Sequence, residues 1–132
     1  DKLLAAKNYN SGMQMLRQIE FSLFDFKIHN DYVAGEPCQI QAVLNDVRSR
    51  TSVVQAPEFN RFQHGFSHIF AGGYSAGYYS YKWAEVLDAD AFELFKEKGL
   101  FNLKVAELFR KNILSRGDTD EPLNLYKKFI EK

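Results

Sequence analysis

Apolar residues recur at intervals of three and four along most of the chain, which is the spacing of one face of an α-helix. This pattern predicts helices over roughly 12–29, 38–48, 74–98, 103–115 and 121–130, and a shorter one from Phe62 to Phe70. Residues 51–60 lack a helical period and are expected to form a loop, and a break is expected at Ala71 to Gly73. The sequence therefore predicts an all-α chain, arranged as an orthogonal bundle of several helices.

Capping residues mark the expected helix ends. Asn10 or Ser11 is a suitable N-cap for the first long helix, and Pro37 suits the first position of the next one. Gly99 is typical of a helix C-terminus, and Asn102 is an N-cap candidate for the helix that follows.

The helix over 12–29 has more apolar surface than a surface helix needs, because its apolar arc exceeds about 100°. Two explanations remain open: it is the central helix of this domain, or another part of the protein covers it. The main apolar arc consists of Met15, Leu16, Ile19, Leu23 and Phe26. The residues that widen it are Met13, Phe21, Phe24 and Ile28. The polar strip consists of Gln14, Gln18, Ser22 and Asp25.

Composition and charge exclude several classes of partner. The 132 residues suit a single domain, and Lys plus Arg equals Asp plus Glu at 17 each, so no overall charge attracts nucleic acid or a membrane. No apolar run has the length of a membrane span. Cys38 is the single cysteine, which favours a cytoplasmic protein without an internal disulfide. The chain begins at Asp1 rather than Met, so we expect a fragment.

The segment from Phe62 to Trp83 concentrates aromatic residues, two of the three histidines and a Gly72-Gly73 pair. A helix that begins near Tyr74 would place Tyr74, Tyr78, Tyr81 and Glu85 on one face, and Tyr79 and Trp83 on the opposite face. From the residues alone, the two glycines fit a helix break or a mobile lid, and Tyr78 and Tyr79 fit core aromatics.

His64 and His68 stand four apart, a spacing that lets a helix present two imidazoles to a metal ion. However, Gly65 occupies the position after the first histidine, where a metallopeptidase has its catalytic Glu, and no third ligand is nearby. We therefore expect no metal site within this chain.

The run His68-Ile69-Phe70-Ala71-Gly72-Gly73-Tyr74, followed by Ala76, Tyr78, Tyr79, Tyr81 and Trp83, resembles the thimet-oligopeptidase family of zinc metallopeptidases. The resemblance extends to Leu16–Phe21, Asp88–Phe92, Gly99–Asn102 and Ile113–Gly117, and so covers nearly the whole chain. It implies that residues 1–132 are the C-terminal helical domain of a larger peptidase. The HExxH zinc helix and the third zinc ligand would lie upstream of Asp1.

The resemblance also implies roles for individual residues. Tyr81, Tyr74 and His68 match groups that bind the peptide or stabilise the oxyanion, and Gly72, Gly73 and Tyr78 match the substrate-binding loop. Zinc would be the cofactor of the full-length enzyme, and the isolated fragment is expected to be inactive and to bind none. The expected partners are peptide substrates, the upstream part of the same polypeptide and, for the isolated fragment, further copies of itself.

A second hypothesis from a different class remains open: a free-standing helical module that binds peptides without catalysis. The two hypotheses differ in the mass expected for the native protein. The peptidase hypothesis requires a mass several times 15.3 kDa.

Overall fold

The computed structural model describes residues 1–130, which form helices joined by turns and loops, with no strand among them. This confirms the all-α class. The chain divides into two compact units, Asp1–Lys82 and Trp83–Lys132. The α-helices are α1 (Lys2–Asn8), α2 (Ser11–Asn30), α3 (Ile40–Thr51), α4 (Phe62–Gly65), α5 (Ser80–Lys98), α6 (Leu103–Phe109) and α7 (Pro122–Ile130). The expectation of one domain over 1–132 stays a prediction.

The predicted helix bounds hold for α2, α3 and α7, but the structure corrects two others. Residues 74–79 form turns, and α5 begins at Ser80 instead of Tyr74. The segment 62–70 is also not one helix, because α4 ends at Gly65 and a separate 3₁₀ turn covers Ser67–Ile69. Past α6 the helical path continues as a π-helical segment over Arg110–Leu114, so the predicted end near 115 is confirmed.

Three of the predicted caps are found at their positions and one is wrong. Asn10 is the N-cap of α2, although its side chain makes no capping hydrogen bond. The Asn102 side chain accepts hydrogen bonds from the backbone N–H groups of Lys104 and Val105, as an N-cap does. Gly99 follows α5 with φ +107°, a conformation that other residues avoid. Pro37 is not the first helical residue, because it lies in the loop before the N-cap Gln39.

The first unit is built around a core between α2, α3 and the segment that follows α3. Phe21 stacks on Phe62 with ring centroids 4.7 Å apart, and it also contacts Phe66. The core residues are Phe21, Phe24, Leu44, Phe66 and Ile69, with Ile28, Ile40, Val43, Phe62 and Tyr78 packed against them. Ile40, Val43 and Leu44 are thus the contribution of α3 to this core.

The buried face of α2 is not the one that apolar content alone predicts. The expected main arc is largely exposed, with Met15, Leu16, Ile19 and Phe26 retaining 36–44% of their accessible surface. The buried face instead carries Phe21 and Phe24 together with two carboxylates, Glu20 and Asp25. Glu20 accepts a hydrogen bond of 3.0 Å from Nε of Arg48, which joins α2 to α3 through a partly buried ion pair.

The second unit has its own small core. Ala91 of α5, Val105 of α6 and Phe129 of α7 are buried there, and Phe95 and Phe109 contact Phe129 through their rings. The Tyr126 hydroxyl of α7 donates to the Asp90 carboxylate of α5. No helix of the described residues is long and apolar enough to cross a membrane.

Candidate functional site

The residues that carry the predicted site lie in a folded turn rather than on a helix. We call residues 72–79 the tyrosine loop. Its N-terminal half folds back on the 3₁₀ turn, with Gly72 donating to the carbonyl of Ser67 and Tyr74 donating to that of His68. The Ser75 hydroxyl donates to the carbonyl of Ile69 at 2.7 Å. The expectation that Tyr74, Tyr78 and Tyr81 share a helix face is therefore wrong, because only Tyr81 lies in α5.

The turn nevertheless brings these side chains together. The ring centroids of Tyr74 and Tyr81 are 4.9 Å apart, and those of Tyr78 and Tyr81 are 5.1 Å apart. His68 lies 6.4 Å from Tyr74 and 6.3 Å from Tyr78 by the same measure. We call these four residues the tyrosine cluster; it places the three predicted catalytic side chains in one patch.

Tyr74 lies close enough to Tyr81 to influence the protonation of its hydroxyl. A hydrogen bond to Tyr74 is the main cause that raises the pKa of Tyr81, and the small loss of hydration and the neighbouring phenols raise it further. A raised pKa means that the Tyr81 hydroxyl keeps its proton to higher pH than a free tyrosine does. Tyr81 retains 40% of its accessible surface, so its side chain stays reachable from solvent.

Tyr78 and Tyr79 sit in different surroundings. Tyr78 packs edge-on against Phe66, and its hydroxyl donates to the Gln18 side chain at 3.2 Å. Burial raises the pKa of Tyr78, partly opposed by the positive charge of Arg17. The ring of Tyr79 packs instead against Phe26 of α2 in a tilted arrangement, with ring centroids 5.1 Å apart. The Tyr78 hydroxyl thus already has a protein partner, and a peptide that binds it must share or replace that bond.

The two glycines meet different constraints. A Cβ atom on Gly72 would lie 2.7 Å from both the Cα and the carbonyl oxygen of His68, so the backbone approach requires glycine. A Cβ atom on Gly73 would meet open space, but its φ of +81° is one that L side chains rarely adopt. Both residues therefore shape the loop beside the cluster, through crowding at one and backbone conformation at the other.

Sequence reasoning missed Asp25, which was placed on the polar strip of α2. Its side chain is fully buried, and its two carboxylate oxygens accept hydrogen bonds of 2.9 Å from the backbone N–H groups of Ala76 and Tyr78. Nδ1 of His29 lies 2.9 Å from the carboxylate as well. The pairing of Asp25 with His29 at i and i+4 was visible in the sequence, but the loop amides were not.

His64 and His68 do not form a pair on one helix. His64 lies in α4 and lines an open cleft of about 790 Å³ with Arg48 and Gln63, whereas His68 lies in the 3₁₀ turn beside Tyr74. Within residues 1–130, no group of three or more His, Cys, Asp or Glu side chains is placed to hold a metal ion. The residues that the structure describes therefore do not fit a zinc site.

The sequence of this chain matches a known protein family. The family model described as "Peptidase family M3" matches residues 1–132, and the chain therefore belongs to that family of peptidases. This confirms the family resemblance that the His68 to Trp83 region indicates.

Individual relatives support the same assignment. The chain is 51% identical over 129 residues to oligopeptidase A of Escherichia coli, which covers 98% of this chain and 19% of the relative. It is 46% identical to the organellar oligopeptidase A of Arabidopsis thaliana over 97% of this chain and 17% of the relative. A thimet-like oligopeptidase of Dictyostelium discoideum is 32% identical over 98% of this chain and 19% of the relative. The chain thus spans about a fifth of the length of these relatives.

Proposed function

We propose that this chain is the C-terminal, substrate-side part of a zinc-dependent oligopeptidase that hydrolyses short peptides in the cytoplasm. Membership of peptidase family M3 supports the peptidase, and the match to about a fifth of each relative supports a part of a larger enzyme. An exposed free thiol at Cys38 supports a reducing compartment. The family match favours this function over a peptide-binding module without catalysis.

The observation that carries the proposal is the hydroxyl pair of Tyr74 and Tyr81 beside an exposed histidine. Peptide hydrolysis places negative charge on the carbonyl oxygen in the transition state, and a fixed hydrogen-bond donor that meets this charge accelerates the reaction. We assign oxyanion stabilisation to Tyr81, with Tyr74 and His68 donating to the peptide or to the same oxygen.

The glycines give the loop a second function. Because Gly73 lacks a side chain and the position of its Cβ atom faces open space, the backbone of a bound peptide can approach the loop closely there, while Gly72 lets the loop pack against the backbone of His68. Tyr78 lies in the same loop and packs against the core of the first unit. We therefore assign the binding of the peptide main chain to Gly72 and Gly73, with Tyr78 as a supporting contact.

We propose that the zinc ion is bound by the rest of the polypeptide. The described residues do not fit the ion, so we expect its HExxH ligands in the sequence that this chain does not include. The isolated 132-residue chain should accordingly bind no stoichiometric zinc and hydrolyse no peptide.

The decisive test is Tyr81→Phe in the full-length polypeptide. The substitution removes one hydroxyl and keeps the ring, so kcat should fall by roughly 10²–10³ while the zinc content stays unchanged. Tyr74→Phe should have a milder effect on kcat and should raise KM, since a loop residue also contributes to ground-state binding. Steady-state kinetics on a short peptide and metal analysis measure these changes.

Tyr79→Phe is the matched control, because it removes a hydroxyl from the same segment but outside the cluster. It should leave turnover unchanged. If Tyr81→Phe kept kcat within about twofold of the parent, a change of under half a kcal/mol in the barrier, the assignment of oxyanion stabilisation to Tyr81 would be wrong.

A further inference from the structure

Asp25 presents a fully buried carboxylate to the backbone of the tyrosine loop. Oδ1 accepts from the N–H of Ala76 and Oδ2 accepts from the N–H of Tyr78, each at 2.9 Å, so each oxygen has one loop amide. The carboxylate lies on α2, in the long helix of the first unit. It therefore joins a helix in the core of this unit directly to the turn that carries the cluster.

The turn that these bonds hold is one that the chain does not favour by itself. Ala76 has φ +52°, in the left-handed region that residues with a Cβ atom rarely enter. Ala76 also lies between Tyr74 and Tyr81, so its conformation decides whether the chain continues straight or turns their rings toward each other. An ionised carboxylate is a strong acceptor for backbone amides, and two such bonds can hold an unfavourable conformation.

We propose that Asp25 is the positioning residue of the tyrosine cluster. Its carboxylate holds residues 76–78 in the conformation that brings Tyr74 and Tyr78 against Tyr81, and Nδ1 of His29 lies 2.9 Å from Oδ1, the oxygen that also accepts from Ala76. Asp25 does not touch the peptide. The effect on turnover rests on the proposed function, whereas the effect on the loop does not.

The test is Asp25→Asn in the full-length polypeptide. The amide has the same shape, but its NH₂ group cannot accept, so one of the two loop N–H groups loses its partner. Hydrogen exchange at whichever of the Ala76 and Tyr78 amides loses its partner should accelerate at least tenfold, because a hydrogen bond to a charged acceptor is lost there. Displacement of the hydroxyls should lower kcat by about 10²-fold, the cost of misplacing a catalytic group by roughly 1 Å.

Glu20→Gln is the matched control, because Glu20 is also a buried carboxylate on α2 but bonds Arg48 rather than the loop. It should lower the unfolding midpoint and leave both kcat and the exchange of Ala76 and Tyr78 within about twofold of the parent. A purely structural role for Asp25 would make the two variants alike in all three measurements, and that result would overturn the proposal.

Two further outcomes separate this inference from the proposed function. Faster exchange in Asp25→Asn without a change in kcat, together with an unchanged kcat in Tyr81→Phe, would leave Asp25 as the loop anchor and refute the catalytic assignment. If Asp25→Asn did not fold, exchange in the unsubstituted protein would decide, since unprotected amides at Ala76 and Tyr78 would refute the anchor directly.

Discussion

At the scale of single residues, the adjacent glycines of the tyrosine loop should respond differently to the same substitution. Gly72→Ala should lower the unfolding free energy by about 1–3 kcal/mol, because its Cβ atom would overlap backbone atoms of His68 that cannot move away cheaply. Gly73→Ala should cost about 1 kcal/mol, from the left-handed backbone alone. Denaturant titration of the three proteins measures both values.

Gly65→Ala is the control for this comparison, since a Cβ atom there meets nothing within 4 Å. Its effect should stay within about 0.5 kcal/mol. An equal cost at Gly65 and Gly72 would show that the close approach to His68 does not restrict the loop.

Two buried carboxylates on α2 connect this helix to other parts of the first unit. Glu20 and Asp25 both lie on the buried side of α2, and each is satisfied by a partner far away in the sequence. Burial of an unpaired charge would cost several kcal/mol, so these positions depend on Arg48 and on the loop amides. The two carboxylates thus tie α2 to two different segments.

At the scale of elements, the contact between α5 and α7 should make stability depend on alkaline pH. Burial, with help from the hydrogen bond to Asp90 and its charge, raises the pKa of Tyr126 to about 12. The folded chain therefore holds this proton more tightly than the unfolded chain, whose tyrosine titrates near 10. The stabilisation is complete below pH 10 and is lost as the pH rises toward 12.

Tyr126→Phe tests this dependence. The variant should be less stable than the parent at pH 8, because it lacks the bond to Asp90, and the difference should shrink as the pH rises from 10 to 12. Urea unfolding followed by circular dichroism at several pH values gives the comparison. Part of the loss of stability at alkaline pH should remain in the Tyr126→Phe variant, because Tyr78 and Tyr81 also have raised pKa values. Tyr9→Phe is the control, because Tyr9 is an exposed tyrosine. If the difference in unfolding free energy between Tyr126→Phe and the parent stayed constant from pH 8 to pH 12, the expectation would be wrong.

Another result at this scale concerns where α5 begins. Aromatic residues and good helix formers follow Tyr74, so sequence pattern alone extends the helix to it. The amides of Ala76 and Tyr78 donate to Asp25 instead, and Gly77 and Ser80 close tight turns with Tyr74 and Gly77. Competition from a buried side chain for backbone hydrogen bonds thus shortens the helix.

At the scale of the whole molecule, the exposed apolar arc of α2 leads us to propose that the isolated chain self-associates. Met13, Met15 and Ile19 retain 37–48% of their accessible surface on one helix, which leaves a cluster of apolar side chains in contact with water. Light scattering of the 132-residue chain up to millimolar concentration should show a mass that rises above 15.3 kDa.

Substitutions on α2 make this proposal specific. Ile19→Lys should reduce association, because it places a charge within the apolar arc. Gln14→Lys introduces the same charge at an exposed polar position of the same helix and should leave association unchanged. A strictly monomeric parent chain at millimolar concentration would contradict the proposal.

The sequence by itself determined the helical class, the position of most helices and the membership of the chain in its family. Helical periodicity and capping are local properties, since they depend on residues three and four apart and on a single side chain such as Asn102. The motif around Gly72 and Tyr81 likewise identified the cluster residues, because a family resemblance depends on residue identities at fixed spacing. The roles of His68, Tyr74 and Tyr81 in turnover stay predictions.

Only the tertiary structure decided which face of α2 is buried and how the tyrosines come together. Apolar content favoured the arc of Met15 and Ile19, but the core formed on the face of Phe21 and Phe24, against α3 and the segment after it. Asp25 could be buried because amides some fifty residues later, at Ala76 and Tyr78, satisfy both of its oxygens. The partners of Asp25 depend on how the folded chain brings distant segments together, and neither hydrophobicity nor helical spacing predicts them.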